Sequence, residues 1–514
     1  QKYLLTNPYK LILNNIMKDH GQTIVRYNEL YKGIPVYGYQ LVTHTADNVT
    51  PSNTIAPDSF PTGRLATDLE NYDIDTKPEI STDTVLSHLR TEFHYEISEP
   101  EIETIIYAEN NTKPQLAYHI SVFEKPNDKY ENPNFIVRAS LDTQGNLVVL
   151  QHWDNLKTSY YDRAVIGMSK GGTQAPLSFR KTGDNYYQFG SAFGDKVPLK
   201  LDGIHLTFQN GICYFKNNIA GVWSHKDIDL ARYERLDSNF YKTHPVESYH
   251  CTPPNYVDTN GDQIAGDYSP DSDALYFVTK TIEMYEKYGF SAPIGSDQTV
   301  KILTHVGHLA NAFATSARGV PFEVVFGDGD SRIPRIDLPL TNADVVAHEF
   351  SHLITMAHSN LNYYSQSGGL NESFSDMSAI ALLDYLNAQN PDFTYDWTIG
   401  RGVSSQAIPL RWMDQPSRDN YSIDHASQFE EGMNPHASSG VFNRGFYILA
   451  HKSGWNVQKA FRVFAYANIH YWVPSSTFNY AACGATHAAD DLYGTKASND
   501  VANALKQVGA VCDK

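Results

Sequence analysis

Asn342-Ala-Asp-Val-Val-Ala-His-Glu-Phe-Ser-His-Leu-Ile-Thr-Met356 is the stretch on which the reading turns. No Gly or Pro interrupts it, Thr341 or Asn342 can cap it, and Asp344 suits the positive end of a helix dipole, so it reads as a helix. His348 and His352, at i and i+4, stand one above the other on one face and can reach a single ion. Glu349 points toward the fourth position that zinc leaves for water at a catalytic site. Taken alone, an exposed helix with two unrelated histidines gives the same pentapeptide.

A second segment removes that ambiguity. Gly368-Gly-Leu-Asn-Glu-Ser-Phe-Ser-Asp376 again sets two functional residues, Glu372 and Asp376, at i and i+4. Glu372 is the expected third ligand. Asp376 is expected to accept a hydrogen bond from the far nitrogen of a ligating histidine, with Asn371 assigned beside it in the same supporting layer. A helix start enriched in acids explains the charges there, but not their pairing with the histidines.

The surrounding chain bounds what such a site can belong to. At 514 residues it needs more than one core. With 41% hydrophobic residues, 34 Tyr and 24 Phe it is a folded protein. A net charge of −18 argues against nucleic-acid partners, and no apolar run reaches the roughly 18 residues that a membrane span needs. The sequence begins at Gln1 without an export leader, and the expectation is that one has been removed. Of the four cysteines, Cys213 with Cys251 and Cys483 with Cys512 are locally spaced pairs without metal-ribbon spacing. Two disulfides in an oxidising compartment are the simplest reading; four buried thiols are the alternative.

The organisation reads as α+β. Strands are expected at 33–42, 115–123, 135–141 and 147–150, with a helix from Ser81 to Tyr95 carrying Leu86 and Leu89 on one face. The Gly- and Pro-containing run from Met168 to Asp184 reads as a linker and a natural cut site. Residues 185–300 are strand-rich, a helix is expected from Ser269 to Tyr288, and the chain beyond Asn342 is mostly helical.

The two metal segments, together with Leu410-Arg-Trp-Met-Asp-Gln-Pro-Ser-Arg-Asp419 and His436-Ala-Ser-Ser-Gly-Val-Phe-Asn-Arg444, resemble the thermolysin family of zinc endopeptidases, in particular its secreted pseudolysin and vibriolysin branch. The N-terminal region, with Pro35-Val-Tyr-Gly38, resembles the propeptide of that family. The resemblance implies a propeptide in two parts (1–80 and 81–165), a linker with the processing site (166–184), and a two-lobed catalytic unit: a β-rich N-lobe (185–345) and a mostly α-helical C-lobe (346–514), with the zinc cleft between them. It implies one catalytic zinc, Glu349 as general base, and His436 and Tyr363 as donors to the oxyanion. Asn311 and Ala312 align an extended substrate, Arg411 binds its carbonyl, and Val345, Leu340 and Leu410 line an apolar pocket for the residue after the scissile bond. The partners implied are protein or peptide substrates and the chain's own propeptide, as inhibitor and folding aid, with secretion to follow.

Three departures from the family pattern stand out. Ala314 replaces the usual aromatic residue, which opens the upper wall of the cleft. Asn434 stands where an acid often supports the histidine at 436, so imidazolium there is less stabilised. Asp344 remains from the family's calcium cluster, but Ile380 and Leu383 replace its acids, so a filled calcium site is not expected. Asp258-Thr-Asn-Gly-Asp262 with Asp267 reads as a turn rather than a calcium loop. An aminopeptidase shares the two-segment metal pattern but should carry a motif for a free amine, which is not seen. A zinc-containing binding protein has no need of Glu349.

Overall fold

The structure, a computed structural model, describes residues 8–19, 21–46, 61–66, 68–93, 97, 100–109, 113–122, 133–154, 157–158, 177–183, 186–191, 204–205, 207–209, 212–224, 239–250, 270–290, 293–295, 299–306, 309–316, 322–389, 391 and 393–512. The N-terminal region is built on one large sheet whose strands run in the order β1 (Tyr9–Asp19), β2 (Gln22–Tyr31), β3 (Ile34–Ala46), β4 (Glu101–Tyr107), β5 (Gln115–Ser121), β6 (Pro133–Arg138) and β7 (Val149–Asp154). Neighbours are antiparallel except β3 and β4, which meet in parallel at Val36 and Ile106. The β2–β3 hairpin turns at Lys32 and Gly33, both with positive φ (49° and 86°), the geometry that suits a tight two-residue turn.

The strand residues alternate between two partners, as the period of two requires. Leu116, Tyr118 and Ile120 face α1 (Thr82–Phe93) and its buried Val85, Leu86 and Leu89. Ala117, with Ile105, Tyr107, Ile136 and Trp153, faces Tyr363 and Tyr364. The sheet is therefore two-sided, with its own helix on one face and the C-terminal part of the molecule on the other. Through the β3–β4 pairing, residues 1–80 and 81–165 share this single sheet.

Seven residues of the segment read as a linker instead form a strand. Leu177–Gly183 forms a strand in an antiparallel hairpin with Tyr186–Ser191, in register Leu177↔Ser191. The Lys181-Thr-Gly183 part of the run read as a linker thus belongs to the strand, and Leu177-Ser-Phe-Arg alternates as a strand should.

A five-stranded sheet follows, in the order β9 (Ala220–Ser224), β10 (Val300–Thr304), β12 (Glu323–Phe326), β11 (Ala312–Thr315) and β8 (Lys157–Thr158). Helix α2 (Pro270–Lys287) packs on it. Beyond lie α3 (Ala343–Ala357), α4 (Ser365–Gln389), α5 (Gly440–Ala450) and α6 (Val457–His470), whose apolar faces join one core. Cys483 and Cys512 are disulfide-bonded, tying the helix Phe478–Tyr493 to the chain's end. The Cys213–Cys251 pair lies outside the described residues, because Cys251 is not among them.

Ile24 and Val42 of the N-terminal sheet belong to that same core. Beside them Arg26, only 2% exposed, donates to the carbonyls of Ile469 (2.8 Å), Trp472 (3.0 Å) and Asn468 (3.3 Å) at the C-terminal end of α6. A cation suits that negative helix end, and burial pulls its pKa down only to about 9, so it stays charged at neutral pH. Asn15 donates to Ala357 O (2.8 Å) at the end of α3. Two helix C-termini thus point into the N-terminal sheet. Replacing Arg26 with Gln should lower the unfolding free energy of the chain by roughly 2–3 kcal/mol, since carbonyls are left unpaired in a dry interface; urea titration measures this.

His358 and His470 are buried at this same interface. Burial, with the nearby Arg26 charge, pushes His358 down to about 4; burial lowers His470 also, against the opposing pull of Asp19. The folded state resists protonating His358, whereas the unfolded chain protonates near 6.5. Its contribution is therefore intact above pH 6.5 and lost as the pH falls toward 4, by about 3 kcal/mol at most. Urea midpoints across this range should fall with pH, and His358→Gln should flatten the slope.

Candidate functional site

Helix α3 carries His348 and His352, and α4 carries Glu372, Asp376 and Asn371. Asn342 occupies the N-cap position of α3 without a capping bond of its own; its amide reaches the Asp344 carboxylate instead. Helix α4 starts at Ser365, three residues before the Gly368-Gly369 pair. These glycines cost helix stability but admit a neighbour. A Cβ on Gly368 would lie 2.8 Å from Pro435 Cγ, and one on Gly369 would lie 2.4 Å from Ser438 Oγ. The segment bearing His436 can therefore lie flat against the ligand helix.

The donor atoms converge. His348 Nε2 and His352 Nε2 are 3.1 Å apart, and each lies 3.3 Å from an oxygen of Glu372. With metal–nitrogen bonds of about 2.0 Å, a tetrahedral edge is roughly 3.3 Å, so two imidazoles and a carboxylate at this spacing fit three ligands of one zinc. All three residues are fully buried. Glu349, Glu372 and Asp376 are also fully buried, with Arg411 as the cation beside Asp376, so neutral imidazoles leave the pocket short of positive charge. The same imbalance acts on His348. Burial opposes its protonation, but Glu372 and Asp376 together outweigh burial and push the imidazole up to about 10.

The far nitrogens are held. His348 Nδ1 donates to Asp376 Oδ1 (2.9 Å), and His352 Nδ1 donates to Asn371 Oδ1 (2.8 Å), whose amide donates in turn to Leu361 O (3.0 Å). These bonds leave each Nε2 with its lone pair toward the shared centre. Arg411 differs from expectation: its Nε and Nη2 are committed to Asp376 (2.7 and 2.6 Å), and the residue is 1% exposed. The guanidinium fork matches the carboxylate plane, which makes this the stronger partner. Against burial, Arg411 and His348 hold Asp376 down to about 2.

Tyr363 donates its hydroxyl to Glu372, and its ring centroid is 6.5 Å from that of His436. His436 sits in a short helical turn capped by Asn434, whose Oδ1 accepts from both the backbone N–H and Nδ1 of His436 (2.9 Å each). The backbone bond fixes the amide orientation, so Nδ1 carries a proton. Nε2, 3.3 Å from Glu372, then donates only when the ring is doubly protonated.

Asn311 accepts the N–H of Ala312 on its side chain (3.0 Å) and leads into β11. One side of β11 pairs with β12; the other pairs antiparallel with β8, in register Phe313↔Thr158 and Ala314↔Lys157. Leu340, Val345 and Leu410 are buried in the main core cluster. Asp344 accepts amides of Gly400 (2.7 Å) and Val345 (3.0 Å), while Ile380 and Leu383 lie in the apolar core, so this position offers one carboxylate that is already committed. The 258–262 turn and Asp267 lie outside the described residues.

Two contacts had no local signal. Tyr364, adjacent to Tyr363, donates to Glu109 (2.7 Å) and packs on Trp153 (4.5 Å between centroids), so the N-terminal sheet grips the loop that presents Tyr363. Asn443 donates to Asp376 Oδ2 (2.8 Å).

Residues 193–356 match the family model of the thermolysin metallopeptidase catalytic domain, residues 359–510 that of its alpha-helical domain, and residues 13–52 the fungalysin/thermolysin propeptide motif. The chain is 31% identical to a virulence metalloprotease of Vibrio anguillarum over 97% of this chain and 73% of that one. It is 32% identical to a neutral protease of Vibrio proteolyticus (97% and 72% covered) and 32% identical to a zinc metalloproteinase of Legionella pneumophila (91% and 82%). Matches of this extent, around a buried two-histidine, one-glutamate centre, mean that the chain belongs to the thermolysin family of metallopeptidases and carries the family's propeptide motif.

Proposed function

We propose that this chain is the proenzyme of a secreted zinc endopeptidase. It would cut internal peptide bonds, preferring an apolar residue after the scissile bond. The observation that carries the reading is the convergence of His348 Nε2, His352 Nε2 and the Glu372 carboxylate, with Glu349 on the same helix as the histidines. The secretion part rests on the acidic composition, the disulfide, and the absence, among the described residues, of any helix long and apolar enough to cross a membrane.

Zinc held by these three residues would supply Lewis acidity, lowering the pKa of a water and polarising the scissile carbonyl. Glu349 takes the proton of the attacking water and passes it to the leaving amine. His436 and Tyr363 donate to the oxygen on which charge develops, and Asn371 and Asp376 keep the two ligand imidazoles aimed. Arg411, anchored on Asp376, meets the substrate carbonyl on the primed side. Leu340, Val345 and Leu410 give that side its apolar preference. The substrate lies as an added strand on β11, led in by Asn311 and Ala312.

The propeptide blocks this arrangement by taking the substrate's place. Its β8 residues, Lys157 and Thr158, already pair with Phe313 and Ala314 on the cleft edge. Residues 1–165 act as inhibitor and folding aid, and processing falls in the 166–184 segment, ahead of its strand Leu177–Gly183.

The processed chain should cleave a peptide blocked at both ends. Glu349→Gln should lower kcat/KM by about 10³-fold, and a chelator should abolish cleavage until zinc is restored. A peptide cut only at a free N-terminus would point to an aminopeptidase, and cleavage unaffected by Glu349→Gln would defeat the reading. In the intact chain, Thr158→Pro removes an N–H and disfavours the β8–β11 ladder. Its rate on the blocked peptide should exceed that of the parent several-fold; equal rates would mean that β8 does not guard the cleft.

A further inference from the structure

Asn443 lies on α5, outside the two ligand helices, yet it is 1% exposed and touches Asp376. Ser373 Oγ donates to its side-chain oxygen (2.7 Å). Asp376 settles which way the amide points, because its ionised carboxylate can only accept: the nitrogen faces Oδ2 at 2.8 Å, and the amide oxygen is left to accept from Ser373 Oγ. Asp376 Oδ2 also accepts from Arg411 Nε (2.7 Å), while Oδ1 accepts from Arg411 Nη2 (2.6 Å) and His348 Nδ1 (2.9 Å). The carboxylate is thus gripped from three sides before it reaches the histidine.

We propose that Asn443 is a positioning residue for the metal centre. Through Asp376 it fixes the plane in which His348 presents Nε2, and Ser373 anchors the amide by its oxygen. The inference rests on the zinc reading given above and adds to it a layer that acts through a ligand's partner. Arg411 alone does not do this work. It grips both oxygens from the short strand Arg411–Trp412, whereas Asn443 meets Oδ2 from α5, a separate element. Ser373 follows Glu372 directly in α4, so the chain Ser373–Asn443–Asp376–His348 ties the backbone beside the third ligand to the orientation of the first. Movement of α5 against α4 is thereby coupled to the ligand geometry.

Outer partners of ligating histidines change metal affinity by about 10- to 100-fold when removed. The test is zinc competition against a chelator of known affinity, carried out on the full chain. Thermal unfolding of the zinc-stripped protein and KM for a blocked peptide are recorded alongside. For Asn443→Ala we expect zinc affinity to fall at least about tenfold, with KM nearly unchanged and the zinc-stripped protein still folded, though less stable for the loss of a buried hydrogen bond. Ser373→Ala, which removes the anchor on the amide oxygen while Asp376 still holds the nitrogen, should shift affinity in the same direction by less. If Asn443→Ala does not fold, Ser373→Ala decides the matter alone. Zinc affinity within twofold of the parent in a folded variant overturns the proposal, as does a loss seen only in unfolding temperature. If the parent chain itself takes up no zinc, the metal reading fails and this one with it.

Discussion

Four hydrogen bonds converge on the carboxylate of Asp376, from His348, Asn443 and two nitrogens of Arg411, in a pocket without solvent contact. A buried charge is tolerated only when it is paired and hydrogen-bonded, and here each donor comes from a different part of the chain. His348 brings α3, Asn443 brings α5, and Arg411 brings the short strand Arg411–Trp412. Satisfying one carboxylate therefore assembles the helices on which the rest of the centre is mounted. The charge shortage that remains around Glu349 and Glu372 is what a divalent cation relieves.

The N-terminal sheet answers a second constraint of the same kind. Helices α3 and α6 end in carbonyls that need donors, and Asn15 and Arg26 supply them. The sheet also contributes Ile24 and Val42 to the main core. It is bound as part of the fold, through apolar burial and helix-end capping, while the strand that pairs with β11, Lys157–Thr158, lies beyond it in the chain and belongs to the five-stranded sheet.

How much of this was legible follows from the range of each signal. The ligand set could be read because i, i+4 spacing on a helix places side chains without knowledge of tertiary structure. His348, His352, Glu372 and Asp376 meet as that spacing implies. The α1 helix and the strands around 115–121 were visible in their periodicity for the same reason. Arg411 was ambiguous: its sequence context does not say whether a fork meets a substrate or Asp376. The β8–β11 pairing joins residues about 150 apart and rests on backbone groups that every residue carries, so no side-chain pattern announces it. The 177–183 strand was obscured because Lys181-Thr-Gly183, at its end, reads in sequence like the polar run of a linker. Gly368 and Gly369 read as a helix boundary, yet they lie inside α4, where the approach of Pro435 and Ser438 leaves no room for a Cβ.

The two-residue strand at the cleft edge also has a kinetic meaning. While β8 is covalently continuous with a sheet anchored by Arg26 and Ile24, its local concentration at β11 is that of a tethered ligand, in the millimolar range for a short link. A free peptide at micromolar concentration cannot displace it, however well its side chains suit the cleft. Cutting the chain beyond β8 does not by itself end that tether, because the sheet still holds its own side of it. On the proenzyme reading proposed above, cleavage and loss of inhibition are therefore separate events, and the lifetime of the sheet on α3 and α6 sets the interval between them.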